Sequence, residues 1–337
     1  MRRQLLNTLM LAFSPVCNYD FIYLREDEYF RRALKDSSIY IIAQRAELYF
    51  MNLTYSNLDE GQVLMEFEIH QRENPHVLKC ATPVYQENLA EDISKDVSFH
   101  VNYTYPKPQI KEEQFPFNNV RECFLKYTDG TFITWISPEN YIHNYLLGAF
   151  AAEIIGNIDE FIKYKVHYVG KATDQQIWKR LTGHSTLQEI ISVEYPFHYG
   201  TLPTHEVAIL FLKFVENKVA HTVSAGDPID NDLIDLLLSK NGPSLKTIYS
   251  DFEKALIKAM QPSYNRQYYK NYPLSTDGLS KYKFNMYAYR ICSDLLLTYA
   301  DGELCCSSTG EDCDILFVRE NRPLQIMKAE KKRNGHS

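Results

Sequence analysis

An α+β fold is predicted by three kinds of pattern in this sequence. Runs rich in β-branched and aromatic residues recur along the chain, as they do in strands. Two Asp-Gly pairs, Asp129-Gly130 and Asp301-Gly302, each separate two apolar arms, which is typical of a β-hairpin. Apolar residues also repeat at helical spacing, most clearly over residues 246–260. With 337 residues, 45% of them hydrophobic, the chain is long enough for two or three domains with cores of their own.

The first third of the chain is predicted to be rich in strands. Residues 38–50 and 63–70 have strand composition, and a turn near Gly61 separates them. Residues 103–119 contain three prolines and a charged middle, so we predict a linker there. Together these signals predict a separate α+β or β-rich amino-terminal domain over residues 1–118.

The rest of the chain alternates between predicted helices and strands. The first hairpin occupies residues 123–137. The second, residues 295–307, belongs to a carboxyl-terminal β-hairpin extension over residues 276–325, and a basic tail, residues 326–337, is predicted to be disordered. The other predicted elements are a helical segment over 140–161, a buried strand over 204–215, helices over 232–238 and 246–260, and a strand over 315–318.

One stretch, residues 164–188, combines a strand, a glycine and a cationic helix. Tyr168 favours a strand, and Gly170 allows a turn whose backbone can approach a ligand closely. In the helix that follows, Ile177 and Leu181 lie one turn apart and are predicted to be buried. Thr173 or Asp174 is expected to be the N-cap of this helix, and Gly183 is expected to end it. A second helix is expected to start at Ser185, with Gln188 at the spacing of a capping box.

The charge of the chain is uneven. Its formal net charge is −7, of which residues 1–140 carry −6 and residues 141–337 carry −1. Residues 161–184 nevertheless carry +4, because five cationic side chains face a single aspartate, Asp174. Such a local excess of positive charge favours phosphate binding. The five cations are Lys163, Lys165, Lys171, Lys179 and Arg180.

This stretch resembles the second half of the GIY-YIG nuclease signature, a strand ending in Tyr-Ile-Gly or Tyr-Val-Gly followed by a helix with an arginine and then a tyrosine or histidine. Residues 250–265 are similar to the family's closing motif, a helix with a metal-binding glutamate followed by Pro-x-x-Asn. Within the family, the similarity is greatest to the nuclease domains of bacterial excision-repair subunits that make the 3′ incision, which carry a lysine directly after the glycine. The matching residues are Tyr168-Val169-Gly170-Lys171, Arg180, His184, Glu253, Pro262 and Asn265.

The resemblance implies a nuclease domain over residues 119–275, a small antiparallel sheet flanked by helices, with an insertion around residues 217–243. The implied activity is that of a metal-dependent endonuclease that hydrolyses phosphodiester bonds, with DNA favoured over RNA. Glu253 would hold a hydrated Mg²⁺ or Mn²⁺, since a single carboxylate suits an ion that keeps several waters. The resemblance also implies that Arg180, Lys171 and Lys179 bind phosphate. Tyr168 or His184 would position or deprotonate the attacking water. Asn265 would hold the metal-bound waters or the loop.

Several alternatives stay open at this point. The family's first strand carries a Gly-Ile-Tyr triplet and none precedes Tyr168, so either residues 132–136 supply that strand or the first tyrosine is lost. Glu253 lies three residues after Ser250, a spacing that also fits a helix capping box. Asn265, which follows a proline by three, also fits a turn. The alternative function is a catalytically inactive nucleic-acid-binding or protein-interaction module on the same fold.

The acidic amino-terminal part opposes the approach of phosphate. We therefore expect residues 1–118 to recognise a protein partner or to restrain the nuclease, unless they form a rigid structural extension. The seven cysteines are scattered without a zinc-ligand spacing, which favours a reduced cytoplasmic setting. No apolar run reaches the roughly 20 residues of a membrane span, so no membrane association is expected.

Overall fold

The computed structural model describes residues 2–57, 63–84, 95–107, 115–222, 242–282, 284–310 and 312–329. This part of the chain is a strand-rich α+β structure with two sheets, which confirms the predicted class. The strands are β1 (Arg2–Leu11), β2 (Val16–Cys17), β3 (Ser37–Gln44), β4 (Leu48–Asn57), β5 (Val63–Gln71), β6 (Val77–Val84), β7 (Val97–Tyr103), β8 (Val120–Tyr127), β9 (Phe132–Ile136), β10 (Glu153–Ile155), β11 (Lys163–Lys171), β12 (Val207–Thr222), β13 (Met286–Ile291), β14 (Leu295–Tyr299), β15 (Gly302–Cys306), β16 (Ile315–Arg319) and β17 (Gln325–Met327). The α-helices are α1 (Asn18–Leu24), α2 (Glu28–Ala33), α3 (Pro138–Leu146), α4 (Ile177–Leu181), α5 (Ser185–Val193), α6 (Pro203–Glu206) and α7 (Leu245–Met260).

The larger sheet has ten strands among the described residues. Its order is β15-β14-β11-β3-β12-β1-β13-β16-β17, and β2 pairs with one end of β12. Most neighbours are antiparallel, whereas the β1–β13 and β11–β14 pairs are parallel. The larger sheet is therefore mixed and wider than the small antiparallel sheet that the resemblance implies.

Strand β3 shows how the larger sheet is buried on both faces. Its side chains alternate between faces, as in any strand. Ile39, Ile41 and Ala43 pack with helix α7, whereas Tyr40 and Ile42 pack with helices α1, α2, α4 and α5 on the opposite face. Helices thus cover both faces, which explains why β3 is an almost continuous apolar run in the sequence.

The smaller sheet has seven strands in the described part of the chain. Its order is β10-β6-β5-β4-β8-β7, and β9 pairs with β8. Helix α3 packs on one face, where the rings of Phe67 and Tyr141 lie 4.9 Å apart, edge to face. The β8–β9 hairpin turns at Gly130, whose φ of +88° is accessible to glycine without strain, so the predicted first hairpin is confirmed.

The two sheets divide the chain differently from the expected boundary at residue 118. Strands β1, β2 and β3 belong to the larger sheet, and the smaller sheet is inserted between β3 and β11. The predicted strand over residues 38–50 is in fact two strands, one in each sheet. The predicted linker over residues 103–119 joins β7 to β8 within one sheet, and residues 108–114 of it lie outside the described part.

Two buried arginines join the sheets. Arg45, just after β3, donates to the carbonyl oxygen of Phe161 at 3.1 Å and to the Tyr164 hydroxyl at 2.9 Å, and it forms an ion pair with Glu139 of α3. Arg121 on β8 pairs with Asp20 of α1, with 2.5 Å between Nη1 and Oδ1, and with Glu122. Because an unpaired buried charge is costly, these bonds hold the two sheets in one arrangement.

Several other predicted elements can be compared with the structure. The helical segment predicted over residues 140–161 is confirmed at its two ends, as α3 up to Leu146 and as a 3₁₀ turn over Ile158–Phe161. It was wrong between them, where Gly148 and Gly156 have φ of +65° and +138° and interrupt the helix. The predicted second hairpin and the strand after it are confirmed as β14, β15 and β16. They are part of the larger sheet instead of an extension. The predicted strand over 204–215 begins three residues later, after the turn of helix α6.

Two predictions fall largely outside the described residues. The insertion around residues 217–243 lies mostly, and the helix over 232–238 wholly, within residues 223–241. The disordered tail predicted over residues 326–337 was wrong at its start, because Ile326 and Met327 belong to β17 and the Lys328 side chain forms an ion pair with Asp314; residues 330–337 lie outside the described part. Among the described residues, no helix has the length and apolar character needed to span a bilayer.

Removal of residues 1–118 should now give an insoluble fragment. The deletion takes away β1 and β3, which lie in the middle of the larger sheet, and exposes the edges of β11, β12 and β13. Sedimentation of the expressed fragment and circular dichroism of its soluble fraction would measure this, with the full-length chain in parallel. A soluble, folded fragment would instead support the separable domain that the sequence suggested.

Candidate functional site

The site is built around the second half of strand β11. The first half pairs with β14 through Lys163, Tyr164 and Lys165 only. Beyond that point, Asn265 takes the place of a neighbouring strand: its side chain accepts from the Val169 N–H at 2.9 Å and donates to the Val169 carbonyl oxygen at 2.8 Å. Asn265 therefore holds the backbone of the site strand, whereas the expected roles were to hold the metal-bound waters or the loop.

Two tyrosines pack over Gly170. Tyr40 of β3 lies opposite Gly170 in the strand register, and the rings of Tyr40 and Tyr168 are 6.0 Å apart. A Cβ on Gly170 would lie 2.6 Å from atoms of both rings, so any other residue would displace them. The expected turn at Gly170 was wrong, since the strand continues to Lys171; the glycine is required by the close approach of the tyrosines.

His184 begins helix α5 and faces Tyr40. Its Nδ1 accepts a hydrogen bond from the Leu187 N–H at 3.1 Å, so His184, and not Ser185, is the N-cap. Its Nε2 lies 2.9 Å from the Tyr40 hydroxyl oxygen. Because Nδ1 accepts, the proton of the neutral ring is assigned to Nε2, which donates to Tyr40. This arrangement leaves no free lone pair on His184 for the expected role as a base.

Burial and, to a smaller extent, the nearby Arg180 guanidinium lower the pKa of His184 to about 4. Above that pH the ring is neutral and keeps both hydrogen bonds. Burial also raises the pKa of the Tyr40 phenol, as does Tyr168, whereas Arg180 lowers it. The Tyr168 ring lies next to it, with 6.0 Å between the two ring centres.

Tyr168 is the half-buried tyrosine of the pair. Burial and the charge of Glu253 raise its pKa, whereas the neighbouring Tyr40 hydroxyl and the Arg180 guanidinium lower it. Tyr40 itself is fully buried. Of the two tyrosines, Tyr168 is therefore the one that a bound molecule can reach.

Helix α4 presents Arg180 to the tyrosines. Ile177 and Leu181 are buried against the larger sheet as predicted, and Arg180 is exposed beside them. Lys179 is exposed on the same helix. The predicted caps Thr173 and Asp174 were wrong, because the N-cap residue is Gln176, whose side chain makes no capping bond, and Asp174 forms an ion pair with Lys246.

Glu253 reaches the site from helix α7 on the other face of the sheet. The helix begins at Leu245 with Ser244 as its N-cap, so Glu253 lies in the third turn and the capping-box alternative was wrong. Lys171 at the end of β11 places its Nζ 2.9 Å from Glu253 Oε2 and 3.2 Å from Ser250 Oγ. Burial raises the pKa of Glu253, and Lys171 opposes that shift.

A second acidic group near Glu253 was not predicted. Asp277 forms an ion pair with Lys254, the residue after Glu253, and its charge raises the pKa of Glu253. The loop that carries Asp277 is tied to helix α7 through Asp251, which accepts from the Leu279 N–H at 2.7 Å. Asp277 lies in the loop between helix α7 and the 3₁₀ turn over Leu279–Tyr282, and no sequence motif surrounds it. Sequence patterns therefore could not identify it.

The structure brings together all the predicted site residues except Lys179, whose side chain makes no described contact with the others. Tyr40 is the residue that sequence reasoning missed. Residues 132–136, which were expected to supply the neighbouring strand, pair with β8 in the smaller sheet instead. The available signal was Ser38-Ile39-Tyr40, which differs from Gly-Ile-Tyr in its first residue only.

In the described part of the chain, no group of three or more histidine, cysteine, aspartate or glutamate side chains is arranged to hold a metal ion. Comparison with protein-family models, with curated proteins and with solved structures finds no match to this chain.

Proposed function

We propose that the chain is a metal-dependent nuclease that hydrolyses phosphodiester bonds in nucleic acid, DNA in preference to RNA, through a GIY-YIG-type site. One observation supports this most: side chains from four separate elements converge on the second half of β11, where β14 no longer pairs with it. They are two tyrosines, an arginine, a histidine, a lysine and a glutamate. The elements are β3, β11, the α4–α5 pair and α7. Such convergence of side chains from distant parts of the chain is typical of a catalytic site.

A divalent ion fits the donors that are present. Mg²⁺ and Mn²⁺ bind through one or two carboxylates and keep most of their water, and Glu253 with the nearby Asp277 offers that set. Glu253 would hold the ion, and its ion pair with Lys171 would break when the ion binds. When bound, the ion supplies positive charge beside the scissile phosphate.

The chain's own cations serve the substrate phosphate. Arg180 is exposed beside Tyr168, so its guanidinium can bind the non-bridging oxygens, where charge increases in the transition state. Lys171, once released from Glu253, offers a second positive charge at the end of β11. Lys179 lies next to Arg180 and adds to the field that attracts the nucleic-acid backbone.

Of the two expected residues, Tyr168 is the better candidate to meet the attacking water. His184 uses both ring nitrogens in hydrogen bonds, one of them to Tyr40. Tyr40 and the Arg180 guanidinium both lower the pKa of Tyr168, which favours its phenolate form. The phenolate would position the water and take its proton, and His184 and Tyr40 are positioning residues.

Cleavage assays test the proposal directly. Purified full-length protein is incubated with labelled single-stranded, double-stranded and branched DNA and RNA, in Mg²⁺, in Mn²⁺ and in chelator. We expect cleavage that requires the ion and is faster on DNA. Retention of nucleic acid without cleavage under every condition would favour the inactive binding module, for which the Lys171–Glu253 ion pair at 2.9 Å is the supporting observation.

Replacing Tyr40 with phenylalanine should slow cleavage by about tenfold or more, the effect of losing one hydrogen bond in the transition state. Tyr40 lowers the pKa of Tyr168, so without the Tyr40 hydroxyl that pKa should rise and the rising limb of the pH–rate profile should move to higher pH. A slower enzyme with an unshifted profile would mean that Tyr40 acts only in packing. Ile42→Val, on the same face of β3, is the control for a packing change.

The cleavage rate should show no inflection from His184 near its ordinary pKa of about 6.5. The folded-state pKa is lowered to about 4, so the ring stays neutral as the pH falls from neutrality and is protonated only near pH 4. The stability that neutral His184 contributes is present above its unfolded pKa and is lost as the pH falls toward 4. His184→Asn, which can still cap α5, is the control. An inflection near pH 6.5 that disappears in this variant would identify His184 as the base.

A further inference from the structure

A cleft with a volume of about 310 Å³ opens between the two sheets. None of the residues of the candidate site lines it. The larger sheet contributes Tyr19 of α1 and His205 of α6. The smaller sheet contributes β7, the segment that follows it as far as Lys107, and Arg121 of β8. The volume is at the lower end of the range for small-molecule sites, roughly 300 Å³ and above.

His205 is the observation that points to a ligand. Its side chain is only 6% exposed, and neither ring nitrogen has a hydrogen-bond partner among the described residues. Glu47 Oε1 lies 3.3 Å from Nδ1 without hydrogen-bond geometry, and the ring of Tyr19 packs edge-on at 4.9 Å. Buried polar groups in folded proteins are almost always satisfied. Both nitrogens are buried, so a ligand in the cleft that offers a donor or an acceptor would satisfy one of them after a turn of the ring toward the cleft.

The other walls are aromatic and polar. Tyr19, Tyr103 and Tyr105 present three phenol rings, and Val101 and Leu202 are the only aliphatic side chains among the described lining residues. An aliphatic peptide side chain would find few apolar partners there. A flat heteroaromatic ring would find stacking surfaces on the tyrosines and hydrogen-bond partners at its edge.

The charges are placed for a ligand with a negative group outside the ring pocket. Arg121 is held by Asp20 and Glu122, so its charge is already balanced within the cleft. Lys107 is exposed at the rim, 5.5 Å from the centre of the Tyr103 ring. A phosphate attached to a ligand ring could meet this lysine, whereas a second phosphate deep in the cleft would meet the two carboxylates.

From these features we propose that the cleft binds a nucleobase, either of a free nucleotide or of an unpaired nucleotide in a strand. The base lies between the tyrosine rings and bonds to His205, and its phosphate meets Lys107. This inference goes beyond the proposed nuclease activity, since it uses a different set of residues and stands without cleavage.

Calorimetric titration of the full-length Glu253→Gln variant in chelator tests it without hydrolysis. The probes are AMP, CMP, GMP and UMP, a short oligodeoxyadenylate, and ribose 5-phosphate as a ligand without a base. We expect at least one nucleotide or the oligonucleotide to bind more tightly than ribose 5-phosphate. Binding of the mononucleotides identifies a nucleotide pocket, and binding of the oligonucleotide alone identifies a subsite for an unpaired base in a strand.

Variants then locate the binding. Tyr105 is 49% exposed, so Tyr105→Ala should leave the fold intact and weaken binding about tenfold, the loss typical of one stacking contact. Tyr29→Ala removes a tyrosine that is 71% exposed outside the cleft and is the matched control, with no change expected. Equal binding of ribose 5-phosphate and nucleotides, the absence of binding by every probe, or equal effects of the two variants would overturn the inference. Loss of nuclease activity alone would not affect it.

Discussion

Replacing Glu253 with glutamine should abolish metal-dependent cleavage while nucleic acid is still retained. The amide has the shape of the carboxylate but no charge, so it cannot hold a divalent ion beside the phosphate. Glu253 is not a cap, so the stability change comes from its ion pair with Lys171 and should be small, about 1 kcal/mol. Cleavage rate, filter retention of labelled DNA and the melting temperature of both proteins would be measured together.

The control for this substitution is Glu189→Gln on helix α5, which removes an exposed carboxylate outside the cluster. That variant should cleave like the wild type. If Glu253→Gln also cleaves like the wild type, Glu253 is only a partner for Lys171, and the metal-dependent proposal fails. Loss of both folding and cleavage would be resolved with Glu253→Asp, which keeps the charge and should recover part of the activity.

Arg180→Ala should slow turnover by about 10²-fold or more, because a guanidinium that binds the phosphate acts mostly in the transition state. The side chain is exposed, so its removal should leave the fold unchanged. The arginine also lowers the pKa of Tyr168, so the variant's rate should need higher pH as well. Single-turnover cleavage at several pH values separates this loss from weaker binding.

Lys163→Ala is the matched control for Arg180. Lys163 lies at the far end of β11 and forms an ion pair with Glu160 at 2.6 Å. Its loss should weaken binding slightly and flatten the salt dependence, with the single-turnover rate unchanged. Equal and small effects of the two substitutions would indicate a diffuse cationic surface instead of a catalytic centre.

Local elements were the part of the fold that the sequence could predict. The hairpins at Gly130 and Gly302 and the helix ending at Met260 follow from turn residues and apolar spacing, which act over a few residues. The sheet assignment could not be predicted, because strand pairing joins distant segments and leaves no spacing in the sequence. For this reason the composition of residues 38–50 predicts one strand, although the chain bends around Arg45 and continues as β4 in the other sheet.

The candidate site shows the same limit. Tyr168, Arg180, His184, Glu253 and Asn265 were found because each lies in a short motif, and the structure places them together. Tyr40 was missed because the whole smaller sheet separates it from Tyr168, so the expected short spacing between two strands is absent. The roles of His184 and Asn265 needed coordinates, since they depend on which backbone groups these side chains meet.

The insertion of the smaller sheet also determines when the site can form during synthesis on the ribosome. Strands β4 to β10 are consecutive in the chain, so this sheet can close while translation continues. The larger sheet closes later, because β1 lies between β12 and β13 and gains its second neighbour only after residues 286–291 have left the ribosome. Glu253 and Asn265 are also made after the whole smaller sheet. The centre that we propose therefore cannot assemble on a nascent chain until residue 265 has been released, which would keep shorter nascent chains from acting on nucleic acid.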